Sequence, residues 1–242
     1  MKPLLILKTG TTLPEIADAL GDFEDWIASG LDYVSEDLQL ASVYEGDSLP
    51  DPDTVSGVVV TGSSALVTER EDWSERSAGW LAGAVERAIP ILGICYGHQL
   101  LAHALGGRVE RNPLGREIGT VEVRLRPGFE EDALLGGLPG QISVQVSHVE
   151  SVVVLPKGAR HWGASSKDPH QVFAYGPCAW GVQFHPEFDA EIVRGYIKGR
   201  RSLLREEGLD PRALSERARD TEHGTQVLRR FGEIVRDRSS AA

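Results

Sequence analysis

An apolar run that leads into a cysteine between two glycines constrains the fold of this chain more than any other feature. The run is Ile-Pro-Ile-Leu at 89–92, and Gly-Ile-Cys-Tyr-Gly-His-Gln follows at 93–99. We predict a strand at 89–94, a sharp turn at Cys95 and a helix at 99–105, because glycines let a backbone bend tightly. The pattern is the thiol counterpart of the Gly-x-Ser-x-Gly elbow. Cys95 is therefore a candidate nucleophile; the alternative is a buried cysteine before an ordinary helix.

The order of the predicted elements indicates an α/β fold. The predicted strands of the first hundred residues lie at 4–7, 38–44, 57–62 and 89–94, and the predicted helices lie at 13–20, 23–28 and 71–88. Such alternation is typical of an open, mostly parallel central sheet flanked by helices, as in flavodoxin-like folds. A strand-rich insertion follows at 108–184, and helices at 191–205 and 211–236 close the chain.

The length of 242 residues suits one large α/β domain, or one domain with a helical appendage. We expect residues 1–205 to form the main domain, and residues 206–242 to form a C-terminal helical extension packed on it. At the first helix Thr12 is the candidate N-cap. In the last helical segment Gly224 is expected to divide two helices.

The composition excludes several classes of protein. The formal net charge of −11 argues against a nucleic-acid surface. Two cysteines, Cys95 and Cys178, give no disulfide framework, which fits a reducing compartment. The run at 4–7 is too short for a signal-peptide core, and no stretch approaches the roughly 18–20 apolar residues of a membrane span. We expect a cytoplasmic protein with neither a membrane nor a nucleic acid as partner.

A second motif offers a base for the thiol. His185 stands in Gly-Val-Gln-Phe-His-Pro-Glu at 181–187, where it is predicted to end an apolar strand. In extended backbone His185 and Glu187 share one face, so the carboxylate can fix the imidazole tautomer and stabilise the imidazolium. A surface His-Pro-Glu at a strand end is the alternative. His148 follows another predicted strand and either lines the same pocket or belongs to loop structure.

The turn after the strand at 57–62 is a candidate oxyanion site. Gly62 can present a backbone N–H beside the Tyr96 N–H that follows the nucleophile. A plain strand-terminating turn is the alternative. The sequence contains no Gly-x-x-x-x-Gly-Lys-Ser/Thr phosphate loop and no cluster with metal-ligand spacing, so we expect neither a cofactor nor a metal.

Together, the motifs at 93–99 and 181–187 resemble those of class I (triad) glutamine amidotransferases, and the chain looks most like stand-alone relatives of the glutaminase domain of GMP synthetase. The resemblance spans about residues 1–205. It implies that Cys95 attacks the γ-carboxamide of glutamine to form a thioester, that His185 moves the proton, and that Glu187 orients His185. It also implies that Gly62 and Tyr96 hold the oxyanion, with Gln99, Ser147 and His148 contacting the substrate.

Three departures from the family pattern leave the substrate open. The turn at 61–64 reads Thr-Gly-Ser-Ser in place of the common Gly-Gly-Pro, Val149 and Glu150 replace the Gly-Asp that often follows Ser-His, and the chain has no synthetase domain. The first hypothesis is an amidohydrolase that releases ammonia from glutamine, with a separate synthetase or ligase subunit as possible acceptor. The second is a γ-glutamyl peptidase or hydrolase acting on γ-glutamyl amines or peptides. A non-catalytic regulatory module is the third.

Overall fold

The computed structural model describes residues 2–240, except the side chain of Ser35. Within this range the strands are β1 Leu4–Lys8, β2 Leu38–Ser42, β3 Gly57–Val60, β4 Ile91–Ile94, β5 Arg108–Arg111, β6 Glu117–Leu125, β7 Gln141–His148, β8 Glu150–Val154, β9 Arg160–Ala164, β10 Val172–Tyr175 and β11 Ala179–Val182. The α-helices are α1 Pro14–Leu20, α2 Phe23–Leu31, α3 Asp72–Glu86, α4 Tyr96–Ala104, α5 Ala190–Gly199, α6 Arg201–Glu206, α7 Pro211–Arg217 and α8 Glu222–Ser240.

Nine of these strands form one sheet in the order β2-β1-β3-β4-β11-β10-β9-β6-β7. The first five run parallel, and β10, β9, β6 and β7 continue the sheet in antiparallel pairing. Strands β5 and β8 form a separate antiparallel pair. The predicted fold class, a mostly parallel sheet flanked by helices with a strand-rich insertion, is confirmed, and the insertion extends the main sheet.

Burial on both faces explains the continuous apolar sequence of the central strands. In β1, Leu4 and Ile6 face a core that also contains residues of α1, α2, α5 and α8, whereas Leu5 and Leu7 face a core with residues of α3 and α4. Helix α8 buries four apolar side chains in the first core, namely Val227, Leu228, Phe231 and Val235. The division of the chain at 205/206 stays a prediction.

Several predicted boundaries are wrong. Leu13, not Thr12, is the N-cap of α1; the Thr12 N–H donates to Oδ1 of Asp22 instead. The helix predicted at 191–205 is interrupted at Arg200, which separates α5 from α6. Gly224 lies inside α8 and does not divide the segment, because the break comes earlier, between α7 and α8. The lack of a side chain at Gly224 lets α8 approach the backbone of Pro186.

None of the helices between residues 2 and 240 is both long and apolar enough to cross a bilayer.

Candidate active site

Cys95 occupies a strained turn between β4 and α4. Its φ of 51° and ψ of −100° place a non-glycine residue in a rarely populated backbone region, a kind of strain that clusters at functional sites. Helix α4 begins at Tyr96, three residues earlier than predicted. Gly97 permits the turn because a Cβ at this position would collide with the Val60 backbone and lie 2.7 Å from the Val60 Cβ. The sequence therefore holds the thiol at the start of a helix.

His185 reaches the same place by a route that the sequence pattern did not predict. Strand β11 ends at Val182, three residues before His185, so the expectation that His185 ends the strand is wrong. The backbone N–H of His185 donates to the carbonyl of Gln145 at 2.8 Å in an isolated antiparallel bridge. The ring stacks on Phe188 with centroids 3.9 Å apart. A bridge to β7 and an aromatic neighbour thus fix the imidazole.

Glu187 lies beside His185, although the intervening backbone forms a turn rather than the expected extended segment. Nδ1 of His185 donates to Oε1 of Glu187 at 2.7 Å. The two side chains are 3% and 0% exposed. A buried carboxylate on Nδ1 leaves Nε2 as the nitrogen able to exchange a proton with another group.

The register of neighbouring strands brings Cys95 and His185 together. Strands β4 and β11 are parallel with Ile94 opposite Val182, and the Cys95 N–H donates to the Val182 carbonyl at 2.9 Å. Burial alone would raise the pKa of the Cys95 thiol, but the positive charge of His185 and a hydrogen bond between the two side chains lower it. Burial would likewise lower the pKa of His185, yet the charges of Glu187 and Cys95 raise it to about 10. The pair therefore favours a thiolate and an imidazolium.

Gly62 and Tyr96 place two backbone donors near this pair. A Cβ at Gly62 would lie 2.8 Å from Cε1 of His185, so only glycine lets the turn after β3 contact the imidazole. The Thr61 carbonyl accepts from the Gly97 N–H at 3.2 Å, which ties this turn to the start of α4. Among the described residues, neither the Gly62 N–H nor the Tyr96 N–H has a hydrogen-bond acceptor.

A cavity of about 220 Å³ opens beside the thiol. Its lining includes Cys95 and Tyr96, together with Gln99, Ser147 and His148, the three residues predicted to contact substrate. Ser63 and Ser64 of the oxyanion-candidate turn also line it. The structure thus gathers the candidate substrate residues around one space.

The side chains of Gln99 and His148 are already committed to protein partners. Nε2 of Gln99 donates to the Glu150 carbonyl at 2.8 Å and to Oε1 of Gln183 at 3.0 Å. Nδ1 of His148 faces the same Glu150 carbonyl at 2.9 Å, and Nε2 faces Oε2 of Glu117 at 3.1 Å. A carbonyl and a carboxylate accept only, so both ring nitrogens donate and His148 is an imidazolium.

The electrostatics around His148 agree with that assignment. Burial works against the charge, but the hydrogen bond to Glu117 and the charges of Asp168 and Cys95 raise the pKa of His148. Glu117 is itself buried and accepts from Ser165 at 2.7 Å and from Gln171 at 2.7 Å. A second histidine–carboxylate pair therefore lies behind the cavity wall.

Two charged residues that line the cavity, Arg200 and Glu150, are not among the predicted site residues. Arg200 lies at the break between α5 and α6, and its Nη1 donates to Oγ of Ser147 at 2.6 Å. Glu150 accepts a hydrogen bond from Thr68 through Oε1, whereas its buried Oε2 has no partner among the described residues. The signal for Glu150 was its position two residues after His148; Arg200 had no local signal.

The profile of class-I glutamine amidotransferases matches this chain over residues 16–194. The chain belongs to the class-I glutamine amidotransferase family. The match takes in the first motif and the His-Pro-Glu segment, so the family predicted from the sequence is confirmed.

Two relatives and one solved structure show how far the similarity extends. A glutamine amidotransferase-like protein of Schizosaccharomyces pombe is 28% identical over 81% of this chain and 83% of its own length. The glutamine-hydrolysing GMP synthase of Aeropyrum pernix is 37% identical over 59% of this chain, a match that spans only 25% of that synthase. A glutamine amidotransferase structure from Thermotoga maritima superposes with a TM-score of 0.75 and 25% identity over 97% of this chain and 98% of its own.

Proposed function

We propose that the protein is a cysteine-dependent amidohydrolase that releases ammonia from the γ-amide of glutamine. The observation that carries the proposal is the convergence of Cys95, His185 and Glu187 after two adjoining parallel strands, β4 and β11. The lowered pKa of Cys95 and the raised pKa of His185 supply the ion pair that such chemistry needs. The 220 Å³ cavity beside the thiol suits a substrate of amino-acid size.

In the proposed first half-reaction the Cys95 thiolate attacks the γ-carbonyl carbon of glutamine. The N–H groups of Gly62 and Tyr96 donate to the oxygen that becomes negative. The His185 imidazolium gives its proton to the amide nitrogen, the C–N bond breaks, and ammonia leaves a γ-glutamyl thioester. Glu187 remains ionised and holds the imidazole by Nδ1.

In the second half-reaction water replaces ammonia. His185, now neutral, takes a proton from water as the oxygen attacks the thioester carbon. The C–S bond breaks, glutamate leaves, and the thiolate and imidazolium are restored. One imidazole thus carries the proton in both half-reactions, the Cys95 thiolate is regenerated, and the γ-carboxyl group of the product loses its proton to water.

Ammonia release from glutamine by purified protein tests the proposal, with Cys95→Ala as the inactive variant and Cys178→Ser as the matched control. Cys178 is the other cysteine; it donates from Sγ to the Ala88 carbonyl at 3.1 Å, it does not line the cavity beside Cys95, and serine retains that donor. We expect release by the wild type and by Cys178→Ser and none by Cys95→Ala. Release that survives in Cys95→Ala contradicts the mechanism, and inertness of all three proteins favours the regulatory-module alternative.

We also propose that a separate synthetase or ligase subunit accepts the ammonia. The support is the match to GMP synthases, in which the aligned region is about a quarter of the chain, 25% for the protein of Aeropyrum pernix. Ammonia release by the isolated chain would show that hydrolysis needs no partner. A rate that rises on addition of a synthetase subunit would show coupling.

A γ-glutamyl hydrolase is the second candidate, and one observation favours it. A further cavity of about 300 Å³ shares Arg116 and Val149 with the cavity beside Cys95. Ammonia needs no space beyond the scissile bond, whereas an amine or peptide leaving group does. The same release assay with γ-glutamyl amines separates the two candidates.

A further inference from the structure

Three cationic side chains line the cavity beside Cys95, and two of them have their charge matched within the protein. Arg116 donates to Glu207 through Nε at 2.8 Å and Nη2 at 3.1 Å, a bidentate pair. The imidazolium of His148 is paired with Glu117. Neither side chain therefore has a free charge to offer a substrate.

Arg200 is the third cation, and its charge is not matched. In the described part of the chain no carboxylate oxygen lies within the 4.0 Å of an ion pair from its nitrogens. Its contacts are the hydrogen bond to Ser147 and the Tyr196 ring, whose centroid lies 4.9 Å from Cζ. A guanidinium has five N–H donors, and toward the residues that the structure describes this one uses a single donor, from Nη1.

The two contacts of Arg200 hold its planar fork in place at the cavity wall. Tyr196 and Ser147 restrain the guanidinium from two sides, so little side-chain entropy remains to be lost when a ligand binds. Carboxylates are the planar anions that such a fork binds with two parallel hydrogen bonds. Partial burial makes this preference stronger, because a desolvated cation gains more from an anion than an exposed cation does.

We propose that Arg200 is the residue that binds a substrate carboxylate in this cavity, so that the enzyme selects γ-glutamyl compounds by a carboxylate at that point. The inference rests on the proposed function. Two carboxylates are candidates: the α-carboxylate of the glutamyl group itself, or a carboxylate on the leaving amine, as in a γ-glutamyl amino acid. The adjoining 300 Å³ cavity, which includes Arg111 and Lys167, leaves room for the second.

Four substrates distinguish the two carboxylates: glutamine, glutamine α-amide, γ-glutamylglycine and γ-glutamylglycinamide. For Arg200→Gln we expect kcat/KM to fall by about 10–100-fold for substrates that present the bound carboxylate, and by less than about 2-fold for the matching amide. If kcat/KM falls for every substrate except glutamine α-amide, Arg200 binds the α-carboxylate. If kcat/KM falls for γ-glutamylglycine alone, Arg200 binds the carboxylate of the leaving group. Equal losses on all four substrates, or none, overturn the proposal.

Two further variants control for charge and for folding. Arg201→Gln removes the same charge from the next residue, an exposed side chain that lines an outer groove on another face of α5 and α6, and we expect it to be as active as the wild type. Arg200→Lys keeps the charge without the fork, so it should recover only part of the lost kcat/KM.

Glutamate binding to the Cys95→Ala protein separates failure of this inference from failure of the proposed function. Calorimetry with glutamate, and with γ-glutamylglycine for the leaving-group carboxylate, needs no turnover, and addition of Arg200→Gln should weaken by about 10-fold or more the binding of any compound that carries the bound carboxylate. If no substrate is turned over but Arg200→Gln still weakens ligand binding, the carboxylate site is supported and the proposed reaction is contradicted. If turnover occurs but Arg200→Gln changes neither kcat/KM nor the binding of these ligands, the proposed reaction is supported and the carboxylate site is contradicted.

Discussion

The Nδ1 atom of His185 lies 2.7 Å from Oε1 of Glu187, and both side chains are almost completely withdrawn from water. A turn at Pro186, not an extended strand, brings the two residues together, and α8 covers that turn by placing Gly224 against the Pro186 backbone. The orientation of the imidazole thus depends on a helix almost forty positions further along the chain.

Replacing Glu187 by Gln tests this relationship. The amide is nearly isosteric but carries no charge, so the tautomer and the imidazolium of His185 lose their support. We expect kcat for ammonia release to fall by about 100–10,000-fold with little change in KM. Steady-state kinetics measure both, and a variant with wild-type kcat would show that Glu187 does not orient the base.

The pH dependence of the reaction follows from the two perturbed groups. The proposed reaction needs Cys95 deprotonated and His185 protonated. It should therefore rise with pH through the lowered pKa of Cys95 and fall again as pH passes through about 10, the raised pKa of His185. In Glu187→Gln the high-pH limb should move to lower pH, because Glu187 is one of the groups that raise that pKa.

Alkylation by iodoacetamide is an independent test of whether Cys95 is a thiolate. Cys95 should react well below the pH at which ordinary thiols do, whereas burial raises the pKa of Cys178 and keeps it slow. Peptide mapping after brief alkylation distinguishes the two sites. Preferential labelling of Cys178 would contradict the proposed ion pair.

We predict that the buried pair of Glu117 and His148 stabilises the fold. Glu117→Gln leaves a buried imidazole without its counter-charge and should lower the free energy of unfolding by about 3–5 kcal/mol at neutral pH. Because the pKa of His148 is raised, the stabilisation is complete below its ordinary value of 6.5 and is lost as pH rises through the raised value.

Urea denaturation at several pH values measures this effect. The matched control is Glu122→Gln on the same strand, where an exposed carboxylate pairs with Arg219 at 2.6 Å. We expect that control to cost less than about 1 kcal/mol. Equal losses in the two variants would show that the buried pair is no more important than a surface one.

Gly97 and Gly79 provide a matched pair of helical glycines. A Cβ at Gly97 would meet Val60, whereas a Cβ at Gly79 in α3 would meet nothing within 4 Å. We expect Gly97→Ala to destabilise the fold by about 1–3 kcal/mol and to lower kcat/KM by displacing Cys95. Gly79→Ala should stabilise it by about 0.5–1 kcal/mol. Thermal unfolding and kinetics of both variants test the contrast, and a harmless Gly97→Ala would contradict the close approach.

The sequence predicted the parts of the site that depend on local patterns. Glycines on both sides of Cys95 and the spacing of His185 and Glu187 are visible within seven residues each. The parallel sheet was predictable because its strands are apolar on both faces and alternate with amphipathic helices. Helix α4 begins three residues before the predicted start. Gly97 and His98 lower helix propensity, but they do not prevent a helix whose position is fixed by β4 and by packing in the core.

Contacts set by long-range register could not be read from the sequence. Glu117 meets His148 because β6 and β7 pair with these two residues opposite each other. Arg200 reaches the cavity because α5 ends one residue before it, where the pattern suggested a continuous helix. Neither relationship has a local signature, and both depend on how separate elements pack.

Acid-quenched mass spectrometry of the protein during turnover of glutamine tests the central claim most directly. We expect a transient glutamyl adduct on the peptide that contains Cys95, which disappears as glutamine is exhausted and never forms in Cys95→Ala. Turnover without such an adduct, or an adduct on another residue, would contradict the proposed thioester mechanism.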